Sequence, residues 1–287
     1  MRWTDRILEG LMKVSDMSSV DDMEEAPEPK KEGEEREETV EEAQEAPRSA
    51  EVQEASEERP ISRGDFILLN YTGRTEDTGE VFDTTDEEEA KRAGIYSKEM
   101  AFGPKLIILG EGELPKGLEN RLEGLRVGEE REIVIPPEEA YGERNPDNVR
   151  MVPYRVLRSK GVTPTVGARV EVDGRVATVR SIGAGRVQLD YNHPLAGRRI
   201  VYKVKAVRRL EADEEKIRAL IGRNFPNIST ESFDIKISGG KVRIQIPEEA
   251  FYEENLQLEK RAAAVEIQRF FPKIEDVEFV EVISRKV

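Results

Sequence analysis

The sequence predicts an α+β protein in which an antiparallel β domain is interrupted by a smaller β domain and followed by an α/β region. Residues 61–148 form short apolar stretches, many of them alternating, that end at glycine or proline, as strands and turns do. A basic segment with its own hairpin signal follows at residues 149–191. After residue 210 the pattern becomes helix, strand, strand, helix and strand.

The first domain is predicted at residues 60–148 and 192–210. Its strands are expected in the segments GDFILLNYTG, TEDTGEVFD, KLIILG, REIVIP and RRIVYKVKAVRRL. The segment GLENRLEGL has helical apolar spacing and predicts the single helix of this domain. The charged run DEEEAKR is interpreted as a solvated face. This part of the chain is therefore expected to be antiparallel β with one short helix.

The inserted domain, residues 149–191, is predicted from two patterns. RVEVDGRVATVRSI contains Asp173–Gly174 between alternating residues, which is typical of a tight hairpin, and RVQLDY predicts a third strand. The segment carries 8 basic and 3 acidic residues. It is therefore a small β module with a net charge of +5.

The C-terminal region, residues 211–287, contains five successive patterns. DEEKIRALIG predicts a helix, SFDIKI and KVRIQI predict strands joined at Ser238–Gly239–Gly240, and DVEFVEVI predicts a final strand. Pro247 predicts the start of a long helix, because proline suits the first helical turn. Exposed strands make pairing of two subunits through this region reasonable.

The net charge of −15 is concentrated near the N-terminus. Residues 21–59 hold 17 acidic and 5 basic residues with almost no large apolar side chains, so the region 1–59 is predicted to be largely a disordered acidic tail. Its first residues carry a helical apolar stripe at Trp3, Ile7, Leu11 and Val14. Because the basic residues of this segment are matched by acidic ones, docking on protein is favoured over binding a membrane. The acidic tail is expected either to solubilise the protein or to fold back on the basic insert and compete there with clients.

Several function classes lack the residues they need. The chain has no cysteine and one histidine, which excludes disulfides and thiol nucleophiles and leaves no metal site or cofactor to predict. No apolar stretch of signal-peptide or membrane-span length occurs at the N-terminus, so the cytoplasm is the expected location. Residues 211–287 hold 16 acidic and 12 basic residues, which argues against nucleic-acid binding.

The residues that remain as candidates for chemistry are aromatic side chains near one acid. They are Tyr71 at a strand end, Phe82 and Asp83 after a hairpin, and Tyr141 in the segment EEAYGE. Aromatic rings of an ordinary β core would produce the same pattern. The residues alone do not separate these two interpretations.

The chain carries three ordered motifs, NYTGRTEDTGEVFDTT, LGEGELPKGLENRLEGLRVGEEREIVIPPEEAYG and NHPLAGRRIVYKVKAV. They resemble the FKBP family of prolyl isomerases over residues 62–210. The insertion between AYG and NHPLAG is similar to that of the SlyD-like branch, which carries an insert-in-flap chaperone domain there. The region after Leu210 is similar in element order to long archaeal members. The resemblance implies an FKBP antiparallel half-barrel and cis/trans isomerisation of X–Pro bonds.

The resemblance also implies the site residues. The catalytic positions it implies are Tyr71, Phe82, Asp83 and Tyr141. The substrate-binding positions it implies are Leu114, Pro115, Leu118 and Tyr202. Asp83 is expected to polarise the pocket or to orient Tyr71, with a turn-capping role as the alternative. His193 is expected to stabilise a turn.

The chain departs from the family pattern at three of these positions or beside them. Family members donate a backbone N–H where this chain has Pro115, and proline has none, so the Tyr141 hydroxyl is the expected remaining donor. Leu118 replaces a tryptophan that is common in the family, and Lys105 stands at a commonly apolar position. Activity is expected, weakened by these changes. The alternative function is a client-binding chaperone or assembly protein with a weakened isomerase pocket.

The partners implied are unfolded or nascent protein clients, with no nucleic acid and no membrane. The insert is expected to hold them through apolar side chains set among its arginines. These side chains are Met151, Val152, Tyr154, Val156 and Leu157. A client held beside the pocket would meet it at a high effective concentration.

Overall fold

The computed structural model describes residues 59–283. This part of the chain contains a five-stranded, a four-stranded and a three-stranded sheet with helices between them, which confirms the predicted α+β class. The predicted N-terminal helix and acidic tail lie outside the described residues, except for Arg59 at the end of the tail. None of the helices within residues 59–283 is both long and apolar enough to cross a membrane.

The five-stranded sheet belongs to the first domain, and all its strand pairs are antiparallel. Its strands are β1 (Phe66–Thr75), β2 (Val81–Thr84), β3 (Lys105–Ile108), β4 (Glu130–Ile135) and β9 (Ile200–Leu210). One edge of β1 pairs along its whole length with β9, which also pairs with β4. The other edge of β1 is shared by β3 in its first half and β2 in its second. All five predicted strands are present.

Two helices, not one, accompany this sheet. They are α1 (Glu87–Ala93) and α2 (Lys116–Leu122). The interpretation of DEEEAKR as a solvated run missed α1. The Asp86 carboxylate accepts a hydrogen bond from the Glu89 N–H at 2.8 Å and caps this helix. Acidic residues in its first turn, basic residues in its last turn and Gly94 in a left-handed conformation complete the start and stop signals.

The insert forms its own sheet, in the order β5-β8-β7-β6. Its elements are β5 (Val149–Pro153), α3 (Tyr154–Ser159), β6 (Arg169–Val172), β7 (Arg175–Gly183) and β8 (Arg186–Asp190). The Asp173–Gly174 hairpin is present, with φ angles of 55° and 72°. The sequence had not predicted β5 or α3. Leu157 lies in α3 and is 0% exposed in the insert core, so it is not part of a client surface.

The base of the insert is closed by polar contacts between its two ends. The Asn192 side chain accepts the Asn145 N–H and donates to the Asn145 carbonyl, both at 2.9 Å. The Tyr191 N–H donates to the Asn148 carbonyl at 2.9 Å. Asp190 is buried at the same place, where Arg144 and Arg180 approach it at 2.5 and 3.0 Å. The insert therefore leaves and rejoins the first domain at one point.

The C-terminal domain has the predicted element order. Its elements are α4 (Asp213–Asn224), β10 (Asp234–Ser238), β11 (Lys241–Ile246), α5 (Leu256–Phe270) and β12 (Asp276–Glu281). Strands β10 and β11 pair antiparallel, and β11 and β12 pair parallel because α5 connects them. The prediction that Pro247 opens the long helix is wrong. A 3₁₀ turn at Glu248–Tyr252 follows this proline, and α5 begins only at Leu256.

The C-terminal domain packs on the five-stranded sheet. The Phe66 ring from β1 makes an edge contact with Phe270, with centroids 5.4 Å apart, and a tilted contact with Phe271. Ile108 of β3 and Leu210 of β9 are buried in the same apolar cluster as the core of this domain. The two domains therefore share a hydrophobic core along the start of β1 and the ends of β3 and β9.

Candidate active site

Strand register brings three of the predicted site residues together. Tyr71 and Gly73 face inward from β1, because residues two apart on a strand share a face. Gly73 lies opposite Tyr202 of β9 and opposite Asp83 of β2. Tyr71, Asp83 and Tyr202 therefore converge at the second half of β1.

Gly73 leaves the space in which the aromatic rings meet. A Cβ atom at this position would lie 2.7 Å from Phe82 Cζ and 2.7 Å from Tyr202 Cε1. Such distances lie well inside normal van der Waals contact. The sequence alone did not indicate the importance of Gly73, because the need for glycine comes from rings on the two neighbouring strands, Phe82 of β2 and Tyr202 of β9.

Phe82 makes edge-to-face contacts with two tyrosine rings. Its centroid lies 5.9 Å from that of Tyr141 and 5.8 Å from that of Tyr202, with both ring planes turned by 88°. Tyr71 and Tyr202 form a third edge contact at 6.2 Å. Tyr202 is 0% exposed and Tyr71 is 2% exposed, whereas Phe82 and Tyr141 are partly exposed. Two accessible rings therefore cover a buried aromatic floor.

The Tyr141 and Tyr202 hydroxyl oxygens lie 3.1 Å apart and share a hydrogen bond. Burial raises the pKa of Tyr141, the hydrogen bond with Tyr202 opposes this to a smaller extent, and the nearby Asp83 charge adds a still smaller rise. Burial raises the pKa of Tyr202 well above its ordinary value, and the neighbouring Tyr141 adds to this effect. Both phenols therefore keep their protons at neutral pH.

Asp83 and Lys105 both approach the Tyr71 hydroxyl. The Tyr71 hydroxyl donates to Asp83 Oδ2 at 3.0 Å, and Lys105 Nζ donates to Tyr71 Oη at 3.0 Å. Lys105 Nζ also lies 4.0 Å from Asp83 Oδ1 and 5.3 Å from the centre of the Tyr71 ring. Asp83 is 7% exposed, so this carboxylate and the ammonium group interact with little intervening water.

Leu114 and Leu118 are buried in the same apolar cluster as Tyr71 and Tyr202. Pro115 lies between them at the start of α2, with a φ of −53°, and its carbonyl accepts the Leu118 N–H at 2.8 Å. Pro115 has no N–H to offer toward the aromatic rings. The candidate site therefore has hydroxyl and carboxylate groups on one side and an apolar helix start on the other.

His193 stacks on Tyr141, with ring centroids 4.6 Å apart and planes within 1° of parallel. His193 Nδ1 accepts the Leu195 N–H at 3.2 Å, as expected of a turn residue. Its Nε2 atom is buried and has no hydrogen-bond partner among residues 59–283. Burial lowers the pKa of His193, and the charge of Arg169 from the insert lowers it further. The stacking on Tyr141 was not predicted from the sequence.

The structure thus gathers all eight predicted site residues into one region, at different depths. Tyr71, Leu114, Leu118, Tyr202 and Asp83 are buried. Within residues 59–283, no group of three or more His, Asp or Glu side chains is arranged to hold a metal ion. The arrangement offers apolar surface, phenol donors and one carboxylate.

A family model described as FKBP-type peptidyl-prolyl cis-trans isomerase matches residues 57–157. A short-type peptidyl-prolyl cis-trans isomerase of Methanocaldococcus jannaschii is 34% identical over 145 residues, which cover 50% of this chain and 91% of the relative. This chain belongs to the FKBP family. It is a peptidyl-prolyl cis-trans isomerase, as the resemblance of its three motifs predicted.

Two further family models match later segments of this FKBP protein. One is described as FKBP26, IF domain, and matches residues 150–195; the other is described as FKBP26_C-terminal and matches residues 213–284. SlyD of Pasteurella multocida is 37% identical over 163 residues, 55% of this chain and 73% of the relative. SlyD of Treponema pallidum is 32% identical over 161 residues, 55% of this chain and 82% of the relative. The predicted insert-in-flap architecture is confirmed.

Proposed function

We propose that this FKBP protein binds the proline of an X–Pro bond on Phe82 and Tyr141, above the buried floor of Tyr71, Leu118 and Tyr202. The barrier to isomerisation arises from the partial double bond of the amide, and it amounts to about 18–20 kcal/mol. Twisting removes this conjugation, so a site that favours the twisted amide lowers the barrier without a nucleophile. Apolar walls keep water from hydrogen-bonding to the planar ground state.

The observation that carries this proposal is the hydrogen bond between Tyr141 and Tyr202. Tyr202 is fully buried, and a buried hydroxyl normally donates its proton to a partner. Within the described residues, Tyr141 Oη is the hydrogen-bond partner of Tyr202 Oη. If Tyr202 donates, the proton of Tyr141 points outward and can bind the carbonyl of the substrate. This assignment gives the site a donor although Pro115 has none.

Asp83 completes the proposed mechanism. Loss of conjugation leaves the carbonyl carbon of the twisted amide poorer in electrons, so a nearby negative charge stabilises it. The Asp83 charge raises the pKa of both Tyr141 and Tyr202, which supports an electrostatic effect of Asp83 across the site. Lys105 lies 4.0 Å away and offsets part of this charge, which accords with a weakened pocket.

A tetrapeptide assay tests the role of Tyr141. Tyr141→Phe keeps the ring contacts with Phe82 and His193 but removes the donor, so kcat/KM on an Ala-Leu-Pro-Phe peptide is expected to fall by about tenfold. Tyr252→Phe is the matched control, because Tyr252 is exposed and distant in sequence from the site. If Tyr141→Phe has the activity of the unaltered protein, the hydroxyl is not the donor.

The second candidate function is a client-binding chaperone whose isomerase pocket contributes little. It is supported by Pro115, which has no N–H to donate, and by Lys105, whose charge lies 4.0 Å from Asp83. The same tetrapeptide assay separates the two functions: a slow tetrapeptide rate with normal suppression of aggregation favours the chaperone. A fast tetrapeptide rate that Asp83→Ala abolishes favours catalysis at the proposed pocket.

We further propose that the insert binds unfolded or nascent protein clients on the face of its sheet opposite its core. Met151 and Val176 are exposed, whereas the neighbouring Ala177 is buried in the insert core and Val152 packs against it, so strand alternation puts Met151 and Val176 on the outer face. Arg169 of β6 lies opposite Thr178 of β7, and Thr178 shares a strand face with Val176, so Arg169 lies on this outer face as well. The charge of Arg169 lowers the pKa of His193, which stacks on Tyr141. The proposed client surface therefore adjoins the proposed pocket.

Surface variants test this second proposal. Met151→Ser with Val176→Ser is expected to slow refolding of a proline-limited protein by severalfold while tetrapeptide activity stays unchanged, because only a large client gains from tethering. Val207→Ser with Ile237→Ser is the control, since these exposed apolar residues lie outside the insert. Equal losses in both assays would contradict a client-binding role.

Pairing of two chains through the C-terminal domain also remains a proposal. Leu258 and Val265 are exposed on α5 and lie seven residues apart, which puts them on one face of the helix. Leu258→Asp with Val265→Asp is expected to shift a dimer to monomer in sedimentation velocity, and a monomeric unaltered protein would refute pairing. The cytoplasmic location stays a prediction from the sequence. The expectation that the protein binds neither nucleic acid nor membranes likewise stays a prediction.

A further inference from the structure

The loop between β3 and α2 leads directly to the proposed substrate contact Pro115. Gly110 and Gly112 in this loop have φ angles of 100° and 72°, which other residues rarely adopt. The Glu119 carboxylate of α2 accepts the N–H groups of Gly112 and Glu113 at 3.0 and 3.1 Å. The loop is thus held locally by one side chain.

The C-terminal domain holds the same loop from outside. Arg223 Nη1 of α4 donates to Glu113 Oε1 at 2.6 Å, and Arg269 of α5 pairs with Glu111. The other Glu113 oxygen, Oε2, lies 3.5 Å from the Ile108 N–H of β3. Two arginines from two helices of one domain therefore bind two acids in a loop of another.

The Arg223 pair is partly withdrawn from water. The Arg223 and Glu113 side chains are 27% and 19% exposed. Burial raises the pKa of Glu113 above its ordinary value, against the opposing effect of Arg223. Glu266 of α5 lies 3.8 Å from Arg223 Nη1 and accepts a hydrogen bond from Asn224. Removal of the Arg223 charge would leave two acids facing each other.

Arg269 lies at a helix end that packs on the first domain. The packing of Phe66 against Phe270 and Phe271 fixes the end of α5 to β1, whose second half carries Tyr71 and Gly73. Glu111 is therefore tied, through Arg269 and the end of α5, to the strand that carries Tyr71. Movement of the C-terminal domain would move the loop relative to Tyr71.

We propose that Arg223 and Arg269 are positioning residues for isomerisation, because they hold the loop that sets Leu114 and Pro115 against the aromatic rings. This rests on the proposed function, together with the substrate-binding roles that the family resemblance implies for Leu114 and Pro115. The C-terminal domain then acts on the pocket of its own chain. Neither arginine touches the substrate.

Arg223→Met in the full chain tests the proposal, since methionine keeps much of the apolar stem. KM for the tetrapeptide is expected to rise about three- to tenfold with kcat within about twofold, because Tyr141 and Asp83 stay in place and mainly ground-state binding is lost. Arg223→Lys should restore part of the affinity. Glu113→Gln should raise KM similarly, and the double variant should be little worse than either single variant.

Arg218→Met is the matched control. Arg218 lies on the same helix as Arg223 but bonds to Glu214 and to the carbonyls of Thr230 and Phe233, all within the C-terminal domain. It is expected to lower thermal stability and leave KM unchanged. A KM that stays normal in folded Arg223→Met and Glu113→Gln, or that rises equally in Arg218→Met, would overturn the proposal.

Leu114→Ala separates failure of this inference from failure of the proposed pocket. If Leu114→Ala raises KM and Arg223→Met does not, the pocket stands and the positioning role is wrong. If neither changes KM, the substrate does not contact this side of the site. Hydrogen exchange at the Gly112 and Glu113 amides should accelerate in Arg223→Met but not in Arg218→Met, since these amides report loop order directly.

Discussion

Gly73 lies directly opposite Tyr202 in the pairing of β1 with β9, and the space above Gly73 is filled by the Tyr202 and Phe82 rings. The aromatic cluster exists in this form because β1 has no side chain at that point. A single methyl group added there must displace a ring that the proposed mechanism uses.

Gly73→Ala adds only one methyl group, but it is expected to reduce isomerase activity strongly. Overpacking costs about 1–3 kcal/mol of the free energy of unfolding, and displacement of Phe82 should lower kcat/KM by about tenfold or more. Urea denaturation and the tetrapeptide assay measure the two effects. Gly183→Ala is the control, because that glycine has open space around its Cβ position. Normal activity in Gly73→Ala would show that the ring positions are not critical.

Asp83→Asn tests whether the charge or only the hydrogen bond matters. The amide can still accept the Tyr71 hydroxyl, so the free energy of unfolding should change by less than about 1 kcal/mol. The kcat/KM is expected to fall by about tenfold, because the negative charge near the twisted amide is lost. Asp77→Asn at the exposed β1–β2 turn should change neither quantity. An active Asp83→Asn would restrict Asp83 to orienting Tyr71.

Lys105→Met should have the opposite effect. The lysine ammonium group lies 4.0 Å from Asp83 and offsets its charge, so an apolar side chain of similar length should raise kcat/KM by about two- to fivefold. The gain should disappear when Asp83→Asn is present, because there is then no carboxylate charge to offset. A loss of activity in the single variant would indicate that Lys105 orders Tyr71.

The thermal stability of the protein at high pH should depend on the ionisation of the buried Tyr202 hydroxyl. Its pKa is raised above the ordinary value of 10.0, so the folded state holds this proton more tightly than the unfolded state does. The resulting stability is fully present below pH 10 and is lost as the pH rises through the folded-state pKa. Tyr202→Phe should show a shallower fall in Tm between pH 9 and pH 11.5, whereas Tyr252→Phe should follow the unaltered protein.

Asp190 should stabilise the junction of the insert in a pH-dependent way. Burial alone would raise its pKa, but hydrogen bonds from Asn192 and Arg180 and the charge of Arg144 outweigh this and hold the pKa below its ordinary value of 3.8. Its contribution is therefore present above pH 3.8 and is lost as the pH falls through the lower folded-state pKa.

Asp190→Ala should cost about 1–3 kcal/mol at pH 7, because Arg144 and Arg180 lose their shared acceptor. The difference in Tm from the unaltered protein should shrink toward pH 2. Asp173→Asn in the exposed hairpin is the control, because it removes the charge that pairs with Lys160 and keeps a residue type that tolerates a φ of 55°. A constant difference across this pH range would mean that Asp190 acts through packing rather than charge.

Local patterns were sufficient to predict most strands and the order of the C-terminal elements. Strands such as KVRIQI alternate, and turns such as Asp173–Gly174 have residues that suit positive φ angles. Helix α1 was missed because it buries only Ala90 and so has no apolar stripe, although its Asp86 cap and Gly94 stop were present in the sequence. The start of α5 was misplaced because proline suits a 3₁₀ turn as well as an α-helix.

The site was predictable only in part. Tyr71, Phe82, Asp83 and Tyr141 were chosen through family resemblance, since composition alone fitted an ordinary aromatic core equally well. Gly73 and the stacking of His193 depend on neighbours far along the chain, so local pattern does not reveal them. The link from Arg223 to Glu113 spans 110 positions and requires the packing of two domains to be known.

The hydrogen bonds between Asn192 and Asn145 hold the two ends of the insert together where it leaves and rejoins the isomerase domain. Apart from the junction residues Asn148, Asp190 and Tyr191, the segment between these asparagines can change in length and composition as long as both ends return to one place. If the insert binds clients as proposed, exchange of the insert between relatives would exchange client preference while the catalytic sheet keeps its register. Chimeras cut at Asn145 and Asn192 would transfer the choice of client without altering the aromatic floor.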